Sequence, residues 1–279
     1  MMIQTAPDGA PRFAILMDEH TALAAQFARA FGNERFEPVQ PRDLMLYVIE
    51  HHDKGWASYD AAPKTDPKTG FPYNLVDTPA EDITRTSAAS PNFNEKQHPY
   101  CGLLSSMHSW GLYNGRYGLS DKVLINTIPA ADRHLADRML EAELRRQERL
   151  KAELAKDPEA KAWIEEGHLF QNYKQLQFFD TFALYFNRTH EGTRGEAAFP
   201  HVPVNAKEDA TITIRPAGAA SYVVSPYPFR EAPARFSFSG RYIEPARPGE
   251  QKNWGATMAR TPREEQRFTL LPGWAPASR

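Results

Sequence analysis

Apolar side chains recur at helical spacing through the first two thirds of the chain and give way to short alternating runs near residue 204. In the first part this pattern predicts helices over residues 18–31, 41–56, 99–113, 130–155 and 168–187. In the second part, alternation between turn residues predicts half-buried strands over residues 211–214, 222–224, 235–239 and 268–270. We therefore expect a mainly α fold, with a helical domain over residues 1–203 and a small antiparallel β appendage over residues 204–279.

A long segment between the second and third predicted helices is rich in Pro, Thr, Asn and Asp and shows no helical periodicity. It runs from residue 57 to residue 97, and the pattern predicts an irregular excursion. Excursions of this length in a compact domain are usually functional or disordered. We expect the part from Ser58 to Gln97 to wall a pocket and to contact a substrate.

Composition limits the function more than it suggests one. The formal net charge is −2 and no block of Lys and Arg stands out, so we expect neither a nucleic-acid partner nor a membrane partner. Cys101 is the single cysteine, which rules out an internal disulfide, fits a reducing cytoplasmic compartment and indicates a packing residue. The apolar run Phe13–Met17 is too short for a signal peptide or a membrane span. The charged helix over residues 138–155 is interpreted as a solvated face and a candidate homodimer contact.

The dipeptide His52-Asp53 is the first feature that suggests chemistry. His52 continues the apolar stripe of the second helix, since it follows Val48 and Ile49 by four and three residues. A carboxylate beside an imidazole at a helix end that faces the core is costly to bury unless a positive group meets it. Neutral imidazole and ionised carboxylate are common ligands of Zn, Mn and Fe. The pair therefore predicts a divalent metal site.

Two further residues repeat this argument on other helices. Asp180 stands in an apolar stripe four residues after Leu176, and His20 faces the core three residues before Leu23. Each has a simpler alternative: a buried His often only donates a hydrogen bond, Asp180 could pair with an arginine, and Asp53 could cap a helix. The joint pattern across several helices favours the metal site over these alternatives.

The helix after Pro99 adds two more candidates, His98 and His108. They share one face of that helix, and the residues between them, Cys101 and Ser105, are small enough to leave room for an ion or a substrate. The other histidines are interpreted as surface or loop residues: His51, His134, His168, His190 and His201. Four aromatic residues are candidate anchors for a partner, although such residues more often lie in the core: Trp110, Tyr113, Tyr227 and Phe229.

The order of these residues resembles the HD-domain superfamily, whose ligands are a His, an adjacent His-Asp pair and a distant Asp. The resemblance implies that His20, His52, Asp53 and Asp180 hold a metal ion in an all-α core. It also implies that the metal serves to hydrolyse phosphate esters.

HD-domain members with two metals carry two additional His ligands in the interval where His98 and His108 stand. The segment Gln97–Gly102 is similar to the His-Pro-x-x-Gly element of the branch that degrades cyclic dinucleotides. That branch has a Lys three residues after the Asp, where this chain has Trp56, and its Gly-Tyr-Pro motif is absent. The resemblance therefore does not extend to cyclic-dinucleotide hydrolysis.

Two other segments are similar to a bacterial family of unknown function, DUF3891. They are His51–Trp56 and the tail segment Ser225–Phe229. This resemblance would cover nearly the whole chain and implies no particular reaction.

The ligand pattern and the HD-domain resemblance together predict a metal-dependent hydrolase. A water activated by one or two divalent ions (Fe, Mn or Zn) would attack a small phosphorylated substrate, either an ester or a diester. Asp53, which would bridge two ions, and Lys54, which would steady the transition state, are the catalytic candidates. Two alternatives stay open: a di-iron oxygenase that uses the same six ligands, and a non-catalytic metal-stabilised binding protein.

Overall fold

The computed structural model describes residues 1–7, 10–247 and 249–273. Its helices are α1 Met17–Ala30, α2 Arg42–His51, α3 Ala57–Ala61, α4 Ala80–Glu95, α5 Pro99–Tyr113, α6 Gly115–Gly118, α7 Arg133–Leu154, α8 Pro158–Trp163, α9 Glu166–Arg188 and α10 Trp254–Arg260. Its strands are β1 Met2–Ile3, β2 Arg12–Ile15, β3 Ala197–Pro203, β4 Asp209–Pro216, β5 Ser221–Ser225, β6 Ala234–Ile243 and β7 Glu264–Pro272. Short 3₁₀ turns lie at Lys54–Trp56, Leu75–Asp77, Leu124–Thr127, Ala130–Asp132 and Glu191–Thr193.

The strands form one seven-stranded sheet that curves into a half-barrel, in the order β1-β2-β6-β7-β5-β4-β3. The prediction of a mainly α fold with a small antiparallel appendage is therefore wrong, and the fold is a mixture of helices and sheet. The four strands that the alternation predicts are present as β4 to β7. However, β1 and β2 also join the sheet, through pairing of β2 with β6, and β5 runs parallel to β7.

Helices α1 and α9 lie against this sheet through a layer of aromatic rings. The ring of Phe27 lies 4.8 Å from that of Phe182 and 4.7 Å from that of Phe236, measured between centroids. Phe186 stacks on Phe268 at 3.8 Å. Buried aromatic side chains contribute large apolar areas, so this layer joins the helices and the sheet into one hydrophobic core.

Helix α4 occupies much of the segment for which the sequence predicts an irregular excursion, and that prediction is wrong for residues 80–95. The helix is polar, but its polar side chains bond to nearby backbone: Thr84 Oγ1 donates to Ala80 O at 2.7 Å, and Asn94 Nδ2 donates to His51 O at 2.8 Å. Helix α5 approaches it closely at Gly102, where an added Cβ would lie 2.9 Å from the Cα of Glu95. Tertiary packing thus outweighs weak helix propensity here.

The other predicted helices are confirmed, with changes at their ends. Helix α1 ends before Gly32, whose φ of 107° suits a glycine at a helix stop. Helix α2 ends at His51, so the predicted helix over residues 41–56 is shorter and is followed by a 3₁₀ turn. Among the helices in the described ranges, none is long and apolar enough to cross a lipid bilayer.

Candidate metal centre

Five of the six predicted metal ligands meet where α1, α2, α5 and α9 cross. His20 lies in the first turn of α1, and His52 and Asp53 directly follow α2. His108 lies in α5, and Asp180 lies in α9. Four of these side chains are buried, while 13% of the Asp53 side chain is exposed to an adjoining cavity.

The ligand atoms lie close enough to share a cation. Nε2 of His20 is 3.2 Å from Oδ1 of Asp180, and Nε2 of His52 is 3.9 Å from the same oxygen. Nε2 of His52 also lies 3.5 Å from Oδ2 of Asp53. His52 therefore belongs to two groups, one with His20 and Asp180 and one with Asp53 and His108, and in each group the ligand atoms lie within 4.8 Å of one another.

Hydrogen bonds on the far side of each ring orient His20 and His52 as ligands. Nδ1 of His52 donates to Ile49 O at 2.8 Å, and Nδ1 of His20 donates to Asn187 Oδ1 at 2.9 Å. Each ring therefore turns its Nε2 toward the cluster. Nε2 of His52 is fully buried and has no hydrogen-bond partner among the residues that the structure describes. An unsatisfied buried acceptor is destabilising, and a cation at this point would satisfy it.

His108 has a comparable partner in Gln177. Nε2 of the Gln177 side chain lies 2.8 Å from Nδ1 of His108, and Oε1 of Gln177 is buried with no partner among the described residues. A half-turn of this amide lets Nδ1 donate to Oε1 and leaves Nε2 of His108 as the ligand. Burial, together with the nearby charge of His52, lowers the pKa of His108 to about 3. The ring is therefore neutral at physiological pH, as ligation requires.

The two carboxylates require positive charge. Burial would raise the pKa of Asp180, but the hydrogen bond with His20 and the charge of Arg116 outweigh it and hold that pKa well below its usual value. Burial raises the pKa of Asp53. His52 lowers that pKa and the charge of Asp180 raises it, so the pKa stays above its usual value. A proton on His20 or a divalent cation would supply the charge. Three imidazoles and two carboxylates form a donor set that suits Zn, Mn or Fe.

The arrangement favours one ion over two. The two groups of ligands share His52, and Nδ1 of that ring is already engaged by Ile49 O. Nε2 has one lone pair, so it binds a single ion. A second ion would therefore need ligands other than His52.

The structure does not bring His98 or Lys54 to this cluster. His98 caps α5, since its Nδ1 accepts a hydrogen bond from the backbone N–H of Tyr100 at 3.0 Å, and its ring lies 6.0 Å from that of Trp163. Lys54 lies in the turn after Asp53 and pairs with Asp18 at the surface, with 2.7 Å between Nζ and Oδ2. Local capping and the 3₁₀ turn direct both side chains away from the site. Neither residue therefore belongs to the candidate site.

Several residues at the site do not emerge from the sequence reasoning. Gln177 and Asn187 share the stripe of Asp180 on α9, and polar residues in an apolar stripe are an available signal. Arg116, whose Nη2 lies 3.4 Å from Oδ2 of Asp180, gives no such signal because it lies in a turn. His201 is exposed, as the sequence indicates, and it lies at an irregularity of β3, where it also lines the cavity.

The cluster lies at one side of a cavity of about 890 Å³. Asp53, His108 and Asp180 reach its surface, and Lys122 and Arg188 lie elsewhere on its wall. The segment that is predicted to wall a pocket contributes Asn74, Leu75, Val76, Ile83 and Ser87. Larger apolar side chains complete the wall: Leu112, Leu119, Val123, Leu124, Phe178, Leu184 and Phe199.

A family model described as a protein of unknown function, DUF3891, matches residues 1–245. The chain belongs to the DUF3891 family. The match to DUF3891 includes all five clustered residues and the segment Ser225–Phe229, and it ends just after β6. Neither a curated protein nor a solved structure matches the chain.

Proposed function

We propose that this DUF3891 protein is a metal-dependent hydrolase of the HD-domain type that cleaves a phosphate ester or diester. The observation that carries the proposal is the buried Nε2 of His52, which faces two carboxylates and has no hydrogen-bond partner in the described part of the chain. Order along the chain supports the HD-domain assignment, because His20, the pair His52-Asp53 and Asp180 follow one another as the ligands of that superfamily do.

Four residues would hold the ion, with His108 beside them: His20, His52, Asp53 and Asp180. A divalent cation bound there supplies Lewis-acid chemistry, since it makes water more acidic and offsets negative charge on a phosphoryl oxygen. Asn187 and Ile49 O hold two of the imidazoles in place. Asp53 faces the cavity, where its carboxylate would accept a hydrogen bond from the attacking water.

The charges on the cavity wall support a phosphorylated substrate. Four of its side chains are cationic: Arg116, Lys122, Lys174 and Arg188. Among the described residues on this wall, Asp53 and Asp180 are the only acids, and both belong to the cluster. Lys174 is paired with Asp209, but Lys122 and Arg188 leave positive charge on the wall away from the cluster, and such charge concentrates anionic ligands. Apolar side chains such as Leu112 and Phe199 would contact the organic part of the substrate.

Elemental analysis followed by a hydrolase screen tests this proposal. We expect about one divalent ion per chain and hydrolysis of members of a panel of phosphate monoesters and diesters, assayed with the metal that the protein holds. The variant Asp53→Ala should lose activity and most of its metal, while Asp43→Ala, an exposed residue of α2, should keep both. Full metal content and full activity in Asp53→Ala would overturn the proposal.

Two other results would replace the proposed reaction with another function. Stoichiometric iron with uptake of O₂, and no hydrolysis, would indicate the oxygenase alternative. Stoichiometric metal with no turnover on the panel, combined with unfolding on chelation, would indicate a metal-stabilised binding protein.

A further inference from the structure

The segment Gly115–Gly118 has an unusual backbone. All of its residues have positive φ: 62° at Gly115, 53° at Arg116, 58° at Tyr117 and 86° at Gly118. Arg116 and Tyr117, with ψ of 46° and 37°, are left-handed helical, and the segment forms a left-handed turn just after α5. Residues with a side chain rarely adopt this conformation, and consecutive ones more rarely still. Strained backbone of this kind persists only where the surrounding structure holds it, and it clusters at functional sites.

Tyr117 anchors this left-handed turn to the core. Its ring lies 4.7 Å from that of Trp110 and 5.1 Å from that of Tyr173, and its hydroxyl donates to Gln147 Oε1 at 3.1 Å. Gly115 closes the turn, since its carbonyl accepts a hydrogen bond from the N–H of Ser120 at 3.0 Å. The Tyr117 contacts therefore fix the backbone from which Arg116 extends into the cavity.

Arg116 reaches the candidate metal centre without being fully engaged there. Its Nη2 lies 3.4 Å from Oδ2 of Asp180, a long contact, and 19% of its side chain is exposed. Within the described ranges this is the side chain's one hydrogen bond. A guanidinium has five N–H donors, so most of its donors remain available to an anion in the cavity.

We propose that Arg116 binds the phosphate group of the substrate beside the metal ion, and that the left-handed turn holds it in position to do so. This inference rests on the proposed function. A metal ion bound to Asp180 offsets part of the negative charge of that carboxylate. It therefore weakens the attraction between Asp180 and Arg116. The guanidinium fork then matches two phosphoryl oxygens, a geometry that an ammonium group cannot reproduce.

Binding of inorganic phosphate to the Mn²⁺-loaded protein tests the inference by isothermal titration calorimetry. We expect Arg116→Gln to keep its manganese and to raise the Kd for phosphate by roughly ten- to a hundredfold, the range typical of a lost charge-assisted pair. Arg116→Lys should fall between Arg116→Gln and the wild type. The control Arg138→Gln removes an exposed charge from α7 and should bind phosphate as the wild type does.

Three results would overturn the inference and leave the metal centre standing. They are unchanged phosphate affinity in Arg116→Gln, loss of manganese from Arg116→Gln, which would make Arg116 a structural partner of Asp180, and no phosphate binding by the manganese-loaded wild type. A wild-type protein that takes up no divalent metal on dialysis would overturn the proposed function itself, and this inference with it.

Discussion

Helices α1 and α9 together form two unlike buried surfaces, a polar face and an aromatic face. At the polar face, His20 in the first turn of α1 meets Asp180 of α9, and at the aromatic face Phe27, two turns further along α1, and Phe182 pack on the sheet. His20 and Phe27 are equally inaccessible to solvent, at 0% exposure. The two faces are therefore equally buried but differ in how their groups are satisfied.

The aromatic face is satisfied by many weak contacts that do not depend on direction, and the polar face by a few directed ones. Phe27 lies beside five other aromatic rings, so small shifts leave most of its contacts in place. Within the described ranges, the His52 side chain makes one hydrogen bond, through Nδ1, and its Nε2 makes none. Native interiors rarely leave such an atom unpaired. The comparison teaches that the polar face depends on directed contacts, and that at Nε2 of His52 such a contact is missing among the described residues.

The largest stability effect should come from the aromatic face. Phe27→Ala removes a fully buried ring and should lower the free energy of unfolding by about 3–5 kcal/mol. Urea denaturation measures this change. Leu144→Ala, at a position of α7 that is 42% exposed, should change it by less than about 0.5 kcal/mol. Equal losses in the two variants would contradict the role of the aromatic layer in joining helices and sheet.

Adding a methyl group to a glycine of the left-handed turn beside the polar face should lower the free energy of unfolding. At Gly118 an added Cβ meets nothing within 4 Å, so Gly118→Ala should cost only the conformational strain, about 1–2 kcal/mol. At Gly115 the Cβ would lie 2.7 Å from Ser120 O, so Gly115→Ala should cost about 1–3 kcal/mol more. Chemical denaturation of both variants measures the difference. Equal stabilities would show that the turn is not held as closely as the structure indicates.

A smaller loss of stability is expected for His98, which lies outside the polar face. His98→Ala removes the cap of α5 and should lower the free energy of unfolding by about 1 kcal/mol. Its metal content should equal that of the wild type, because His98 lies against Trp163, away from the cluster. If His98→Ala lost bound metal in elemental analysis, the exclusion of His98 from the metal centre would be wrong.

Local periodicity predicted the long helices and four strands, but it could not show that seven strands form one sheet packed against the helices. Strands β4 to β7 and the long helices carry their own alternation or helical stripe. Strands β1 and β2 span only two and four residues, and β2 finds its partner β6 more than two hundred residues along the chain. In β3, Pro200 and a break in register after Phe199 conceal the alternation. Such pairings depend on tertiary contacts that no local pattern contains.

The residues of the candidate site likewise divide into those with a local sequence pattern and those without one. His52 and Asp180 could be chosen from the sequence because each is a polar residue in an apolar helical stripe. His98 satisfied the same spacing rule, but the residue before a proline at a helix start is well placed to cap that helix, and capping took precedence. Arg116 could not be chosen in this way, because it lies in a left-handed turn, where the spacing rules for right-handed helices do not apply.

The most direct test of the metal centre compares metal binding by His52→Ala and His51→Ala. The two residues are neighbours, but His51 stacks between Tyr47 and Phe93, away from the cluster. Each purified protein would be dialysed against Zn²⁺, Mn²⁺ or Fe²⁺ and its bound metal measured by elemental analysis. We predict about one ion per chain in the wild type and in His51→Ala, with affinity at least about tenfold weaker in His52→Ala. A wild-type protein that binds no ion, or equal affinity in the two variants, would contradict a metal centre built around His52.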